Sequence, residues 1–375
     1  MSDERRLRVA LGPLDPAGVG HALAEGLRAQ DHRAEVVRFG PDPYGYPADA
    51  YLAGRRARIA FARSAPRRFD VLHGLGGRSW LSYADLAFAR SGGVTCVIQY
   101  NGSDVRTSAQ ARRLHPRRAR VVDPALDRSV RRHRRLGAAV AHAAVVQDLE
   151  LASYLVGIYR SIYVAPIAFD LAEVERARAA AGPGRRAGEA LEVVHAGSNP
   201  RVKGSEAIGR AVREAAREQP LSLTVVARRP HRDVLVALSR ADLVVDQLNS
   251  ETPGVVAIEA MAMGKPVLCE HAPEKLASFA RPSPLVAVSA DTLAAELVRL
   301  GRSPELRSEL GERGRRYALA VHAPERAARA AELVYANAAR GRRGVFEASP
   351  EGLAAVTGPL TPLGGAPSAR PAPAG

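Results

Sequence analysis

The sequence ADLVVDQLNSETPGVVAIEAMAMGKPVLCE, residues 241–270, predicts a strand, a loop, a buried helix and a second strand. Residues 243–248 form a short apolar run, which is typical of a strand buried on both faces of a parallel sheet. Pro253 and Gly254 favour the start of a helix directly after the loop. Because buried parallel strands alternate with helices in α/β proteins, this stretch predicts an α/β fold.

The predicted helix after Gly254 carries one buried carboxylate. Residues 255–263 are apolar on nearly every face except at Glu259, and an isolated buried charge is too costly to keep without hydrogen-bond donors. Glu251 lies just before the helix, so the two acids flank the free N–H groups of the first turn. Those N–H groups and the helix dipole favour a phosphate, which leaves both acids available to sugar hydroxyls. The combination predicts a site for a sugar nucleotide.

Seven residues separate Glu251 from Glu259 in the context E-T-P-G-V-V-A-I-E-A-M-A-M-G-K-P-V. This stretch closely resembles the E-x7-E signature of family-four (group 1) retaining glycosyltransferases. The resemblance implies transfer of a sugar from a nucleoside-diphosphate sugar to a hydroxyl acceptor. It also implies that Glu251 orients the donor sugar, that Glu259 binds the ribose, and that Pro253, Gly254 and Val255 contact the donor. A buried helix whose acids have only structural partners is the alternative.

The same resemblance implies the GT-B architecture, with two Rossmann-like domains facing across a cleft. Residues 1–167 are predicted to form the N-terminal, acceptor-side domain, and residues 168–320 the domain that binds the nucleotide sugar. Residues 321–340 are predicted to form a C-terminal helix that packs back on the first domain. Residues 341–375 are predicted to be a disordered tail, because their Gly, Pro, Ala and Ser content cannot support a core.

A glycine-punctuated loop with two cations follows the strand predicted at residues 191–195. Its sequence is A-G-S-N-P-R-V-K-G-S, and cations at a sheet edge suit a diphosphate. Arg201 and Lys203 are therefore predicted to offset the charge of the leaving diphosphate. Many members of the resembled family have Gly-Arg-Leu-x-x-x-Lys-Gly here, whereas this chain has Ser198 at the usual arginine position. A solvent-facing loop is the alternative.

Two turns in the first domain are candidates for substrate contact. Gly18 and Gly20 follow the first predicted strand, and the resemblance implies that they approach donor phosphates or acceptor, with a plain strand-to-helix turn as the alternative. Leu23 stands where a dinucleotide fingerprint needs its third glycine, so a nicotinamide site is not expected. The turn N-G-S-D-V-R resembles the family's H-G-S-D-V-R turn. Asn101 replaces the histidine and can bond a hydroxyl but cannot titrate, while Asp104 either caps the turn or binds acceptor.

The formal net charge of +15 is concentrated in one run that begins at Arg112 and ends at Arg135. The run holds ten arginines and two histidines with almost no acids. Such a run could meet nucleic-acid phosphates, anionic lipid headgroups or only solvent. No nucleic-acid motif accompanies it, so a nucleic-acid partner is not expected and an anionic membrane surface is kept as the candidate partner.

The length and the motifs of the chain limit what can be expected of its domains, location and cofactors. The 375 residues suit two domains, and no segment is apolar enough to span a membrane or to form a signal peptide. A cytoplasmic protein is therefore expected, with peripheral attachment to the inner face of the plasma membrane left open. Cys96 and Cys269 lack metal-ligand spacing and are expected to be buried free thiols. Without a D-x-D motif, no metal or other cofactor is expected. A catalytically silent binding or partner subunit of the same fold is the first alternative function, since Asn101 and Ser198 depart from the family pattern, and a basic nucleic-acid-binding protein is the second.

Overall fold

The computed structural model describes residues 6–114, 121–182 and 189–356. Within these ranges the chain forms two α/β units that face each other across a cleft. Cys96 and Cys269 are buried free thiols, one in each unit, as the sequence predicts. Among the described helices, none combines the length and the apolar character needed to cross a bilayer.

The first domain alternates strands and helices. Its strands are β1 (Arg8–Pro13), β2 (Arg33–Arg38), β3 (Ala50–Tyr51), β4 (Val71–Leu75), β5 (Thr95–Gln99), β6 (Ala143–Val146) and β7 (Ser161–Val164). Its described α-helices are α1 (Val19–Arg28), α2 (Gly54–Arg68), α3 (Ala84–Ser91), α4 (Ser108–Leu114), α5 (Asp127–Val140) and α6 (Leu149–Ser153). In the sheet these strands lie in the order β7-β6-β5-β4-β1-β2-β3, and every neighbouring pair is parallel. Helices cover such a sheet, because parallel strands need crossover connections.

The second domain has a smaller parallel sheet in the order β12-β11-β10-β8-β9. Its strands are β8 (Leu191–Ala196), β9 (Leu221–Val226), β10 (Leu243–Val245), β11 (Val267–Cys269) and β12 (Val286–Ala287). Its helices are α7 (Leu171–Ala179), α8 (Pro200–Lys203), α9 (Ser205–Ala215), α10 (His231–Arg240), α11 (Val255–Ala262), α12 (Leu293–Gly301) and α13 (Pro304–His322). The predicted strand, loop, helix and strand of residues 241–270 are present as β10, α11 and β11.

The chain crosses between the domains at two places that touch. Phe169 packs in the apolar cluster of the second domain, and we place the domain boundary beside it at residue 168. The chain returns through α14 (Pro324–Ala339), which packs with Val9 and Leu27 of the first domain. The predicted C-terminal helix crossing is therefore confirmed. His322 Nδ1 lies 3.0 Å from the carbonyl oxygen of Ile167, which joins the two crossings.

The prediction of a disordered tail is wrong for residues 344–355. There β13 (Gly344–Ser349) pairs in parallel with β7, and β14 (Gly352–Ala355) pairs antiparallel with β13, which completes a nine-stranded sheet. Phe346 is buried and stacks on Tyr163 with 5.5 Å between ring centroids. The open edge of β7 supplies hydrogen bonds that composition cannot reveal. Residues 357–375 of the predicted tail lie outside the described residues.

Candidate active site

A cavity of about 490 Å³ lies between the domains at the carboxyl ends of their strands. Ligands of open α/β sheets bind at such strand ends. The first domain contributes loops after β1, β2 and β5, and the second contributes loops after β8, β9 and β10 with the start of α11. Polar and glycine residues of this wall include Tyr46, Asn101, Gly197, Lys203, Arg228, His231, Gly254 and Glu259. Within the described ranges, no group of three or more His, Cys, Asp or Glu side chains is placed to hold a metal ion.

Lys203 ends the short helix α8 and points at a buried acid. Its Nζ donates to Asp246 Oδ1 over 2.7 Å. The Asp246 side chain is fully buried, whereas that of Lys203 remains 18% exposed. A buried carboxylate needs such a partner, because an unpaired charge away from water is expensive. The ion pair therefore holds one ammonium group in place in the cavity wall.

Two glycines make room for Lys203. A Cβ atom at Gly197 would lie 2.8 Å from Lys203 Cγ, and a Cβ atom at Gly254 would lie 2.7 Å from Lys203 Nζ. Both distances are shorter than real Cβ contacts allow, so any larger residue would displace the lysine or the backbone. Gly254 also precedes α11 as its N-cap. The ammonium group is thereby held against the beginning of that helix.

The beginning of α11 offers free backbone donors. Asp246 Oδ2 accepts a hydrogen bond from the Gly254 N–H over 2.7 Å, so this donor is used inside the protein. For the next two N–H groups, of Val255 and Val256, no hydrogen-bond partner is found in the described part of the chain. Free N–H groups at a helix start, with a lysine ammonium beside them, form an anion-binding site.

Glu259 has a partner that the sequence did not show. Glu259 is 2% exposed, and its Oε1 lies 2.7 Å from His231 Nε2. Burial lowers the pKa of His231, but the hydrogen bond and the charge of Glu259 outweigh it, so the pKa is raised above its ordinary value. The first domain reaches this pair, since the Tyr44 carbonyl accepts from the His231 N–H over 2.8 Å and the Tyr46 ring lies 4.6 Å from the imidazole.

Glu251 and Arg201 stand apart from the cavity wall. Glu251 is half-buried in the loop before α11, and its carbonyl accepts from the Ala272 N–H over 2.9 Å. Arg201 is exposed on α8, where its carbonyl accepts from Asn249 Nδ2 over 3.2 Å. Neither side chain lines the cavity in the described structure. Their roles at the donor sugar and the diphosphate stay predictions.

The turn after β5 presents Asn101 to the cavity and Asp104 to the backbone. Asp104 Oδ2 accepts from the Asn101 N–H over 3.0 Å, and Oδ1 accepts from the Gly102 N–H over 2.7 Å. Burial raises the pKa of Asp104, and these backbone bonds oppose the rise. Asp104 therefore caps the turn, which is the alternative to its predicted contact with acceptor. Asn101 lines the cavity, and its contact with substrate stays a prediction.

The glycines of the first loop have structural partners instead of a place in the cavity wall. Asp15 Oδ1 accepts from the Gly20 N–H over 2.7 Å, so that donor is already occupied. Gly18 has a positive φ of 68°, and a Cβ atom there would collide with the ring of Tyr46. Their neighbours line the cavity, whereas Gly18 and Gly20 do not, within the residues described. Gly18 and Gly20 therefore allow the loop to adopt its shape, which is the alternative to their predicted approach to a ligand.

The basic run does not form one continuous face. Arg134 is 3% exposed and donates to the carbonyl oxygens of Val105 and Tyr154 over 3.1 and 2.9 Å, so it is part of the core. The exposed arginines of α5 are Arg128, Arg131, Arg132 and Arg135. Residues 115–120 of the run lie outside the described residues.

Three residues that matter for the geometry were not singled out from the sequence. Asp246 is the only acid in the apolar run 243–248, and the argument used for Glu259 would have identified it. His231 is the first residue of α10 and Tyr46 lies in the loop after β2, and neither segment carries a local sequence signal for the site. The fold of the second domain brings His231 to Glu259, and the packing of the two domains brings Tyr46 to His231.

Residues 202–317 match the family model described as Glycosyl transferases group 1, and this segment contains Lys203, Glu251 and Glu259. Against curated protein sequences the chain has no significant match. The fold resembles that of sucrose-phosphate synthase from Thermosynechococcus elongatus, with a TM-score of 0.60 and 18% identity over 88% of this chain and 99% of that one.

Two further solved structures share the fold. Anabaena HepE in complex with UDP and glucose has a TM-score of 0.57 and 14% identity, covering 85% of this chain and 96% of that one. AviGT4, a glycosyltransferase involved in avilamycin A biosynthesis, has a TM-score of 0.54 and 16% identity, covering 90% of this chain and 99% of that one. The expected fold of two Rossmann-like domains in the GT-B arrangement is confirmed.

Proposed function

We propose that this chain, which has the GT-B fold and a segment that matches the group 1 glycosyltransferase model, transfers a sugar from a nucleoside-diphosphate sugar to a hydroxyl acceptor. One observation carries the proposal. The Lys203 ammonium lies at the start of α11, beside N–H groups of Val255 and Val256 that have no partner in the described structure. This arrangement suits the diphosphate of such a donor.

The departing diphosphate gains negative charge as the bond to the sugar breaks. Preorganised donors at that position lower the barrier because they need no reorientation during the reaction. Lys203 and the first turn of α11 supply such donors, and Arg201 on the neighbouring α8 adds a cation if the loop brings it inward. We propose that these groups act without a metal ion. The resemblance supports retention at the anomeric carbon, with the leaving phosphate as base in a front-face substitution.

The acids of the signature complete the proposed donor site. Glu259 lies in the cavity wall and would accept hydrogen bonds from the ribose hydroxyls, sharing or exchanging its present bond to His231. Glu251, in the loop before α11, would orient the hydroxyls of the sugar. The HepE structures contain UDP, UDP with glucose, or UDP-glucose, which makes UDP the first nucleotide to test on this chain.

Isothermal titration with UDP, GDP and ADP, each with and without EDTA, tests the proposal. We expect one of them to bind equally well in both conditions, and Lys203→Met to weaken binding about 10- to 100-fold, the loss typical of a hydrogen bond to a charged group. Lys275→Met is the matched control, since Lys275 lies outside the cavity. Failure of all three nucleotides to bind the parent protein, or parent-like affinity in folded Lys203→Met, would overturn the proposal.

We further propose that an anionic lipid surface brings the acceptor to the enzyme. The exposed Arg128, Arg131, Arg132 and Arg135 share α5, and the apolar side chain of Leu136 is exposed beside them. Each arginine near an anionic leaflet contributes about 1 kcal/mol, so the attachment would be reversible and sensitive to salt.

Sedimentation with anionic and with neutral liposomes at low and moderate salt tests the membrane proposal. We expect the parent protein to sediment with anionic liposomes at low salt, and Arg131→Ser/Arg132→Ser/Arg135→Ser to lose this binding. Arg134 is left unchanged because it is buried. A control variant with Arg299, Arg302 and Arg313 changed to Ser removes the same charge from the second domain. Equal binding of both variants would refute a specific role of α5, and no binding of the parent would indicate a soluble acceptor.

A further inference from the structure

The strand β9 forms an open edge of the second sheet. It pairs with β8 on one side, and no strand of the described chain pairs with its other side. The carbonyls of Pro220, just before the strand, and Val226, at its end, each accept from an N–H group on the β8 side over 3.0 Å. Because alternate residues of a parallel strand bond to the same neighbour, the even-numbered residues between them also bond to β8. The odd-numbered residues Leu221, Leu223 and Val225 therefore direct their N–H and C=O groups away from the sheet.

This edge lacks the features that usually keep strands from pairing there. Proteins protect an edge with charged side chains, prolines or bulges. The sequence of β9 is L-S-L-T-V-V, and its pairing with β8 is unbroken by a bulge. Val225 is 50% exposed, and a groove of about 470 Å³ lies beside it, bounded in part by Asp233 and Val236 of α10. Outward main-chain groups and exposed apolar side chains together favour the addition of another strand.

The helix beside the groove has a pattern of charge that suits a second copy of itself. Asp233, Val236 and Arg240 are three and four positions apart on α10, so they share one face of the helix. The Asp233 side chain is 32% exposed, and Val236 and Arg240 are exposed. In its own chain Asp233 has surface ion pairs of 3.4 and 3.6 Å with Arg229 and Arg232. Arg240, in contrast, has no acidic partner among the residues described. The face is therefore acidic near the start of α10, apolar in its middle and basic at its end.

A two-fold axis through Leu223, perpendicular to the sheet, aligns two copies of β9 as antiparallel neighbours. It places Leu221 opposite Val225 of the second copy, and Leu223 opposite its own equivalent. In such a pair, facing residues with outward main-chain groups exchange both of their N–H···O=C bonds. All the outward groups of β9 are satisfied in this register, whereas a shift by two residues in either direction leaves some of them unpaired. The strand therefore complements itself.

The same axis brings the exposed faces of α10 together. Because α10 connects β9 to β10, which are both parallel to β8, it runs back along the sheet and its middle lies level with the middle of β9. Both copies of α10 lie on the same side of the joined sheet, since the axis is perpendicular to it. Antiparallel contact about Val236 then places Asp233 opposite Arg240 of the second copy, and the reverse. Opposite charges at both ends of an apolar contact fix the orientation of the two copies.

The C-terminal stretch of the chain is a poorer candidate for this edge. Residues 357–375, which follow β14, hold five prolines. A proline lacks the N–H group that an added strand has to donate. A second copy of β9 therefore fits the edge better than the tail of the same chain.

We propose that two copies of this chain associate through the edge of β9 and the exposed face of α10, which joins their second-domain sheets into one. The proposed donor cavity lies at the carboxyl ends of the strands. Antiparallel pairing leaves the two cavities at opposite ends of the joined sheet, so the association covers neither of them. The association does not depend on the function proposed above.

Sedimentation velocity over a range of protein concentrations tests the strand contact. We expect the parent protein to form a dimer with a Kd in the micromolar range or below. Val225→Pro removes an outward N–H group and leaves the bonds to β8 intact, so it should weaken the dimer about 10- to 100-fold, as loss of one hydrogen bond from each copy does. Val225→Thr keeps the N–H group and the branched shape, and as the matched control it should dimerise like the parent. A parent protein that stays monomeric up to about 100 μM, or a folded Val225→Pro variant that dimerises like the parent, would overturn the proposal.

Charge reversal on α10 tests which residues face each other. Asp233→Arg and Arg240→Asp each place like charges opposite one another, so each should weaken the dimer about 10-fold or more. Asp233→Arg/Arg240→Asp restores opposite charges with the signs exchanged, and we expect its Kd to return to within about threefold of the parent value. Arg313→Asp, on α13 of the same domain, is the control and should leave the Kd unchanged. Single variants without effect, or a double variant weaker than both, would overturn the proposed interface.

Two measurements on the same preparations keep the outcomes separate. Melting temperatures show whether a variant is folded, and where Val225→Pro is not, the charge reversals decide. Titration with UDP distinguishes this proposal from the proposed function. A parent protein that dimerises without binding UDP would support the dimer and count against the donor site, whereas a monomeric parent protein that binds UDP would overturn the dimer and leave the donor site standing.

Discussion

Substitutions in the ion pair between Lys203 and Asp246 are predicted to separate an effect on stability from an effect on catalysis. Lys203→Met leaves the fully buried carboxylate of Asp246 without its cation, although the Gly254 N–H still donates to it. Removing one partner of a buried ion pair costs about 3–5 kcal/mol of the free energy of unfolding. For a unit of this size each kcal/mol lowers Tm by about 2–4 °C. We therefore expect Tm of the single variant to fall by about 6–20 °C.

A second substitution restores the fold without restoring the charge. In Lys203→Met/Asp246→Asn the buried charge is absent, and the new amide oxygen can still accept from the Gly254 N–H. We expect most of the lost Tm to return, because the costly group is gone. We expect turnover of the donor to stay about a hundredfold below the parent, as it does when one preorganised charge stabiliser is removed. Calorimetric melting, UDP titration and donor turnover are measured on the same preparations.

Two results would refute this reasoning. Recovery of near-parent UDP affinity and turnover in the double variant would show that the diphosphate does not use the Lys203 charge. An unchanged Tm in Lys203→Met would show that Asp246 does not depend on the ion pair. Lys275→Met controls for the loss of a lysine as such, since it is expected to change neither quantity.

Three further predictions test the surroundings of Lys203 and Glu259. Gly254→Ala places a Cβ atom 2.7 Å from Lys203 Nζ. Because small misplacements are costly in catalysis, we expect turnover to fall about a hundredfold. Gly40→Ala is the control, since a Cβ atom at Gly40 meets nothing within 4 Å, and it should leave turnover unchanged. Glu259→Ala should weaken UDP binding, while Glu251→Ala should mainly lower turnover. Normal UDP affinity of Glu259→Ala together with normal turnover of Glu251→Ala would contradict these two roles. The pKa of His231 is raised in the folded protein, so the stability it adds is present below its ordinary pKa and is lost as pH rises through the raised value. The Tm difference between the parent and His231→Gln should therefore be largest below the ordinary pKa of histidine, about 6.5, and shrink as pH rises above it, and a difference that does not vary with pH would contradict the ion pair with Glu259.

Local chemistry was sufficient for the element that organises the second domain. Three neighbouring features of the chain predict β10, α11 and β11 without knowledge of the rest. They are the apolar run before the loop, the helix start at Pro253 and Gly254, and the single acid of an otherwise apolar helix. The return of α14 to the first domain was expected from the resemblance. Lys203 was expected from the cations of its glycine-punctuated loop and Asn101 from the resemblance, and both line the cavity.

The partners of these residues were decided by tertiary structure. Asp246 lies 43 positions from Lys203, and His231 lies 28 positions from Glu259. Arg134 belongs to a basic run whose arginines were indistinguishable in sequence, yet it turns inward to two carbonyl oxygens. The pairing of β13 with β7 depends in the same way on an edge formed some 180 positions earlier. Periodicity and caps report on contacts within a few residues, whereas ion pairs, buried hydrogen bonds and strand pairing depend on which surfaces the packed core brings together.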